Sequence, residues 1–103
     1  MAKTLEQINA EFTNLMAENG FTKNGESLYG GCEVYSRIWK KEMDVVWQGR
    51  KESSLEIKAE EKYGIPSARI FKNGNLESHR YYSSPKRMIN ALRNIVAHAG
   101  FDF

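Results

Sequence analysis

Residues 66–101 read PSARIFKNGNLESHRYYSSPKRMINALRNIVAHAGF, and this stretch decides the fold of the chain. In its first half, Asn73 and Gly74 separate two short runs of strand character. Both residues tolerate the positive φ angles of a type I′ turn, which joins adjacent antiparallel strands. The pattern therefore predicts a β-hairpin over residues 67–81.

The register of that hairpin follows from its turn, because the two turn residues decide which residues lie opposite one another. The predicted pairs on one face are Phe71 with Leu76, Arg69 with Ser78, and Ser67 with Arg80. Those on the other face are Ile70 with Glu77 and Ala68 with His79. Neither face is cleanly apolar, which indicates a hairpin at the edge of a sheet with one solvated side.

The second half of the stretch predicts a helix. Ser84 is a favourable N-cap, and Pro85 suits the first helical position because its missing N–H would have no partner there. Apolar residues then recur at helical spacing as far as Gly100, which supplies a C-terminal stop. We predict a helix over residues 84–99.

A similar helix opens the chain. Thr4 followed three residues later by Gln7 is a capping box, in which the hydroxyl and the amide satisfy free backbone donors of the first turn. An apolar stripe follows, and Gly20 with Phe21 forms a C-terminal stop like the one at Gly100. The pattern predicts a helix over residues 4–19.

Between the helices, residues 32–48 alternate with a period of two and predict another hairpin, with Lys41 and Glu42 as its turn. The glycine-rich stretch before it, residues 21–31, predicts turns with at most a short strand. The hairpin register places Ile38 opposite Val45 and Ser36 opposite Trp47 on an apolar inner face. Tyr35, Arg37 and Trp39 then share the outer face.

Residues 53–63 fit two patterns. Ser53 with Glu56 can cap a helix, but Leu55, Ile57 and Ala59 alternate with charged residues as in a strand. The strand is favoured, since Ile57 would lie on the wrong side of the helix. A Gly-Ile-Pro sequence at residues 64–66 ends the element in either case.

These elements predict a single α+β domain covering residues 1–103. The two one-faced helices, at the N- and C-terminal ends, need an apolar surface to cover, and one face of an antiparallel sheet of three to five strands provides it. The expected order is α-β-β-β-β-β-α, with the third strand the uncertain one.

Composition predicts an ordered cytoplasmic protein. The 103 residues, 41% of them hydrophobic, suffice for one modest core. Cys32 is the only cysteine, which excludes an intramolecular disulfide and a multi-thiolate zinc site and fits a reducing compartment. It is interpreted as a small buried thiol. No apolar run approaches the length of a membrane span, so no membrane contact is expected.

Charge is unevenly distributed although its sum is only +2. Residues 1–61 contain eight Lys and Arg against eleven Asp and Glu, a net −3, whereas residues 62–103 contain seven against two, a net +5. A basic half favours an anionic partner, either nucleic acid or an acidic protein surface.

Basic and aromatic residues interleave in that half, as in proteins that stack nucleic-acid bases and neutralise phosphates. The candidate contact residues are Arg69, Lys72, Arg80, Tyr81, Tyr82, Lys86 and Arg87. Tyr35, Arg37 and Trp39 are candidate contacts on the outer face of the first hairpin. Lys86 and Arg87 occupy the first turn of the predicted second helix, where an acidic residue is usually favoured. A bound anion there, shared with Arg80, is one explanation, and ordinary solvated cations are the other.

No metal or cofactor site is predicted, because His79 and His98 are far apart in the sequence and the acidic residues do not cluster. By the predicted register His79 lies beside Ala68 and Ile70, as a structural residue. His98 suits the negative end of the helix dipole.

The sequence favours a non-enzymatic module that binds RNA or single-stranded DNA. The second hypothesis is a protein-binding adaptor or inhibitor, of the kind that phages and mobile elements encode, that acts on an acidic host surface. An RNA-cleaving enzyme is the third.

Overall fold

The computed structural model describes residues 4–23, 33–45 and 49–103, and of residues 43–45 and 49–52 it describes the backbone. Their elements in chain order are α1 (Leu5–Glu18), β1 (Thr22–Lys23), β2 (Tyr35–Val45), β3 (Gly49–Lys62), β4 (Ile65–Lys72), β5 (Asn75–Tyr81) and α2 (Pro85–His98). The strands form one antiparallel sheet in the order β1-β2-β3-β4-β5. The predicted two-layer α+β fold and its element order are confirmed. Cys32 lies outside the described residues.

Both helices begin and end where the sequence predicts. At α1, the Thr4 hydroxyl accepts from the backbone N–H of Gln7 at 3.1 Å, and the Thr4 N–H donates to the Gln7 side chain at 2.9 Å. Gly20 adopts a φ of 78°, which lets the N–H of Phe21 turn back to the carbonyl of Met16 at 2.9 Å. The capping box and the glycine stop are confirmed.

The second helix uses the same devices. The Ser84 hydroxyl accepts from the backbone N–H of Arg87 at 3.2 Å, with Pro85 in the first turn. At the other end Gly100 has a φ of 87°, and Phe101 donates to the carbonyl of Val96 at 3.1 Å. Local sequence signals therefore determine both ends of α2.

Residues 53–62 form a strand, as favoured from the sequence. They belong to β3, which lies at the centre of the sheet between β2 and β4. Leu55, Ile57 and Ala59 point to the helices and are at most 1% exposed. The alternation of apolar and charged residues thus reflects a sheet with one covered face.

The predicted turn at Lys41 and Glu42 is wrong. Both residues lie inside β2, which runs without interruption from Tyr35 to Val45 and pairs along its whole length with β3. A two-residue hairpin turn needs residues that accept positive φ, and neither lysine nor glutamate favours it. The strand β2 ends at Val45 and β3 begins at Gly49; the residues between them, which include the predicted pairing residue Trp47, lie outside the described residues.

The predicted outer face of this strand is also wrong. Tyr35 and Trp39 are 8% and 7% exposed and belong to the core beneath the helices. The ring of Tyr35 meets that of Phe12 edge-on, with centroids 5.6 Å apart. Ile38, expected inside, lies on the opposite face and is 52% exposed. We call that opposite surface, which neither described helix covers, the outer face of the sheet.

Arg37 explains the reversal. It shares the covered face with Tyr35 and Trp39, and a charged residue there made the pattern look solvated. Its guanidinium lies 4.5 Å from the centroid of the Trp39 ring and donates to the carbonyl of Asn19 at 2.8 Å. Stacking and hydrogen bonding keep the charge at the helix–sheet boundary without burying it unpaired.

Two tight turns join the last three strands. Asn73 and Gly74, with φ angles of 52° and 83°, connect β4 to β5, as predicted. The sequence did not predict a second turn of the same kind, at Tyr63 and Gly64, whose φ angles are 54° and 80°. It connects β3 to β4 where only an end of the element was expected.

The last hairpin keeps the predicted register next to its turn and then shifts. Phe71 lies opposite Leu76 as predicted, but a β-bulge between Ile70 and Phe71 places Ile70 opposite Ser78. One extra residue on β5 exchanges the faces of all that follow. Arg80 therefore lies opposite Ala68 on the covered face, and His79 lies opposite Arg69 on the outer face.

Candidate binding cleft and basic groove

The basic residues predicted to bind an anion do not form one patch. Arg69 lies on the outer face with 14% of its side chain exposed, 3.9 Å from the carboxylate of Glu60. Lys86 lines a groove between the two helices, which Glu18 also lines. Arg87 is exposed in the first turn of α2. These three cations thus point to different surfaces.

Lys72 and Arg80, in contrast, line the same groove. It lies between the C-terminal half of α2 and strands β4 and β5, with a volume of about 310 Å³. His98 joins them from the last turn of the helix, so Arg80 does not share the helix N-terminus with Lys86 and Arg87. The remaining lining residues are Ile70, Glu77, Ser78, Ile95 and Ala99. We call this cavity the basic groove.

Tyr81 belongs to a separate cleft at the end of the sheet. Tyr63, Ile65 and Tyr81 are 78%, 52% and 58% exposed, and with Lys62 and Ser67 they line an open depression of about 330 Å³. We call it the aromatic cleft. Tyr81 was predicted from the sequence as a contact residue, whereas Tyr63 and Ile65 were not. The available signal was Gly64 between two alternating runs, which indicates a hairpin turn.

The turn that presents Tyr63 is held against α1. A Cβ atom added at Gly64 would lie 2.9 Å from Leu5 Cδ2 and 3.3 Å from Ile8 Cδ1. The backbone N–H of Gly64 also donates to the Glu61 carboxylate at 2.7 Å. Glycine is therefore needed at position 64 for its positive φ and because a side chain there would clash with α1. These contacts hold the turn in place beside the cleft.

Tyr63 is the unusual residue of that turn. A non-glycine residue in the left-handed region costs about 1 kcal/mol, and asparagine or glycine is preferred at this position. Its ring is mostly exposed and therefore contributes little to the core. The Lys62 ammonium lies 5.5 Å from the ring centroid, which adds a cation to the aromatic surface.

His79 is not the core-side residue that the predicted register implied. The bulge turns it to the outer face, where its ring centroid lies 4.8 Å from that of Tyr81. Arg69 is its cross-strand neighbour. The histidine therefore borders the aromatic cleft, and its predicted place beside Ala68 and Ile70 is wrong.

Tyr82 is half-buried and packs against the core, so its ring is not a free stacking surface. Its backbone N–H donates to the carbonyl of Pro66 at 2.9 Å. Among the described residues its buried hydroxyl has no hydrogen-bond partner. Burial raises the pKa of this phenol above its usual value near 10, and the positive charge of Arg80 opposes the shift.

Two further observations concern metal binding and membrane-spanning helices. In the described part of the chain, no three His, Cys, Asp or Glu side chains come together to hold a metal ion. Neither described helix is long and apolar enough to cross a membrane.

Comparison with protein-family models, with curated proteins and with solved structures gave no match. The fold and the two surfaces define a small α+β domain, with an aromatic cleft at one end of its sheet and a basic groove under its second helix.

Proposed function

We propose that this chain is a non-enzymatic module that binds single-stranded nucleic acid, RNA or DNA, with bases stacked in the aromatic cleft. One observation carries the proposal: Tyr63 adopts a costly left-handed backbone conformation and yet leaves 78% of its surface exposed. The residue gives the fold neither a favoured turn nor a buried side chain. A binding role accounts for its presence.

The cleft has the chemistry that an unpaired base requires. Stacking on an exposed aromatic ring contributes about 1–3 kcal/mol per base and is tolerant of sequence. Tyr63 and Tyr81 supply two such rings, Ile65 supplies an apolar wall, and Lys62 supplies a cation for the phosphate backbone. A base inside a duplex exposes only its edges, so the cleft favours single strands.

Titration of fluorescent oligonucleotides tests the proposal. Single-stranded RNA and DNA 12-mers should bind at 50 mM salt and weaken clearly at 200 mM, whereas a duplex of the same sequence should bind less tightly. Tyr81→Ser should weaken single-strand binding about tenfold, by the loss of one stacked base. Lys86→Ala, which removes a cation between the helices, is the matched control. Absence of binding at low salt, or equal losses in the two variants, would rule the proposal out.

A protein-binding adaptor or inhibitor is the second candidate, and another observation favours it. Ile38 and Leu76 are 52% and 57% exposed on the outer face, at the two ends of a row across the sheet whose inner members are Glu56 and Phe71. Exposed aliphatic residues contribute little to nucleic-acid binding and are common at protein interfaces. Such a partner would contact this apolar row, because the basic residues do not form one face.

Salt dependence separates the two candidates. Binding through the apolar row should persist as salt rises and should be lost in an Ile38→Asp/Leu76→Asp variant that retains oligonucleotide binding. A partner that co-purifies with both the original chain and this variant would exclude the row as its binding surface.

A further inference from the structure

The basic groove lies on the other side of the sheet from the aromatic cleft and has no role in base stacking there. Lys72 from β4, Arg80 from β5 and His98 from α2 converge on it from three different elements. Ile70, Ile95 and Ala99 provide its apolar walls, and the hydroxyl of Ser78 adds a polar group. Polar donors over an apolar base are the usual composition of a small-ligand site.

A local irregularity of β5 creates this arrangement. With the regular register that the turn predicts, Arg80 would face the outer surface and His79 would lie beside Ala68. The bulge exchanges them, and Arg80 then lies opposite Ala68 under α2. Bulges often re-aim a side chain at a functional site. Here the bulge places Arg80 on the covered face, where it lines the groove together with Lys72 and His98.

The two cations of the groove, Lys72 and Arg80, have no ion-pair partner among the described residues. Glu77 is the one acidic residue that lines the cavity, and it does not pair with either cation. Two cations that face the same small cavity repel each other, and a bound anion relieves that repulsion.

We propose that the basic groove binds a phosphate group attached to an organic body, as in a nucleoside monophosphate. Arg80 offers a planar pair of N–H donors, Lys72 a point charge, and His98 and Ser78 further donors. Donors arriving from several directions suit the oxygens of a tetrahedral phosphate better than the two oxygens of a planar carboxylate. The apolar walls fit a sugar or a base, and a volume of about 310 Å³ is at the small end of ligand pockets.

Titrations followed by amide NMR test this inference without reference to the aromatic cleft. Adenosine 5′-monophosphate should shift the amides of Ser78, Arg80 and His98 in a saturable way. Adenosine should not, and inorganic phosphate should shift the same amides at higher concentration. A dinucleotide with a 5′-phosphate, compared with the same dinucleotide without it, distinguishes a nucleic-acid end from a free nucleotide as the source of the phosphate.

Four variants decide the outcome. Arg80→Ala should weaken monophosphate binding at least tenfold, and Glu77→Gln should strengthen it several-fold by removing a repulsive charge. Lys86→Ala, which removes a cation outside the groove, should leave monophosphate binding unchanged, as should Tyr63→Asn. Equal shifts by adenosine and its monophosphate, or equal effects of Arg80→Ala and Lys86→Ala, would overturn the inference. If Tyr63→Asn loses oligonucleotide binding but keeps monophosphate binding, the inference about the basic groove is supported.

Discussion

The indole N–H of Trp39 donates a hydrogen bond of 2.9 Å to the backbone carbonyl of Asp102. This bond ties β2 to the segment that follows α2, 63 residues later in the chain. Phe103 extends the contact, since its ring lies 5.9 Å from that of Trp39 and is flanked by the guanidinium groups of Arg37 and Arg93, each at 5.3 Å. The segment after α2 therefore closes the core over the residues that the sequence analysis placed outside.

Trp39 and Ile38 are sequence neighbours on opposite faces, and paired substitutions test that placement. Trp39→Ala should lower the free energy of unfolding by about 3–5 kcal/mol, the usual loss for a large core residue. Ile38→Ala, at a 52% exposed position, should change it by less than about 0.5 kcal/mol. Urea unfolding followed by circular dichroism measures both. Equal losses would contradict the assignment of the faces.

Gly64 and Gly74 provide a second matched pair, because they occupy equivalent positions in two tight turns with φ angles of 80° and 83°. Alanine at Gly74 meets nothing within 4 Å, so its cost should be the conformational one of about 1 kcal/mol. Alanine at Gly64 also meets Leu5 Cδ2 at 2.9 Å and should cost about 1–3 kcal/mol more.

A double variant isolates that contact. Leu5→Ala removes the opposing methyl groups, and Leu5 is itself 57% exposed, so its own effect should be small. Gly64→Ala in this background should cost little more than Gly74→Ala does, about 1 kcal/mol, because only the flexible end of the Ile8 side chain, 3.3 Å away, still opposes the new methyl group. Thermal unfolding of the original chain, Leu5→Ala, Gly64→Ala, the double variant and Gly74→Ala gives the comparison. A Gly64→Ala loss that Leu5→Ala leaves unchanged would show that the contact with Leu5 is not the cause.

What could be predicted from the sequence were features determined by residues close together in the chain. The caps of both helices depend on Thr4 with Gln7 and on Ser84 with Arg87, each three residues apart. The turn at Asn73 is equally local. Such interactions form in any context that allows a helix or a hairpin, so a single sequence suffices to recognise them.

What could not be predicted depends on distant partners. The face of Trp39 is set by pairing with β3 and by the segment around Asp102, and neither leaves a periodic signal in β2 itself. The bulge that directs Arg80 to the covered face depends on how β5 pairs with β4. Lys72 and Arg80 were selected because basic and aromatic residues interleave in this part of the sequence, but the groove that they share with His98 depends on the tertiary structure.

Tyr82 offers a test of electrostatics. Because burial raises the pKa of its phenol, the folded state holds this proton above pH 10, where the unfolded chain loses it. The folded state then binds more protons than the unfolded state, and stability falls as the pH rises from about 10 through the raised pKa. Tyr82→Phe should remove this part of the alkaline loss of stability.

At neutral pH the same substitution removes a buried hydroxyl that has no hydrogen-bond partner among the described residues. Tyr82→Phe should therefore leave the free energy of unfolding unchanged or raise it by up to about 1 kcal/mol. Urea unfolding at pH 7 and pH 10.5 measures both effects. A loss of more than 1 kcal/mol at pH 7 would mean that the hydroxyl is satisfied, by a water molecule or by another part of the chain.

Tyr63→Asn is the variant that best separates folding from binding. Asparagine adopts the left-handed conformation of this turn position more readily than tyrosine, and the exposed ring of Tyr63 gives little to the core. The free energy of unfolding should rise by about 0.5–1 kcal/mol. Single-stranded oligonucleotides should bind about tenfold more weakly, because one stacked base is lost. Opposite changes in the two quantities are the signature of a residue kept for binding. If stability falls along with affinity, Tyr63 supports the fold instead, and the cleft loses the observation on which its proposed function rests.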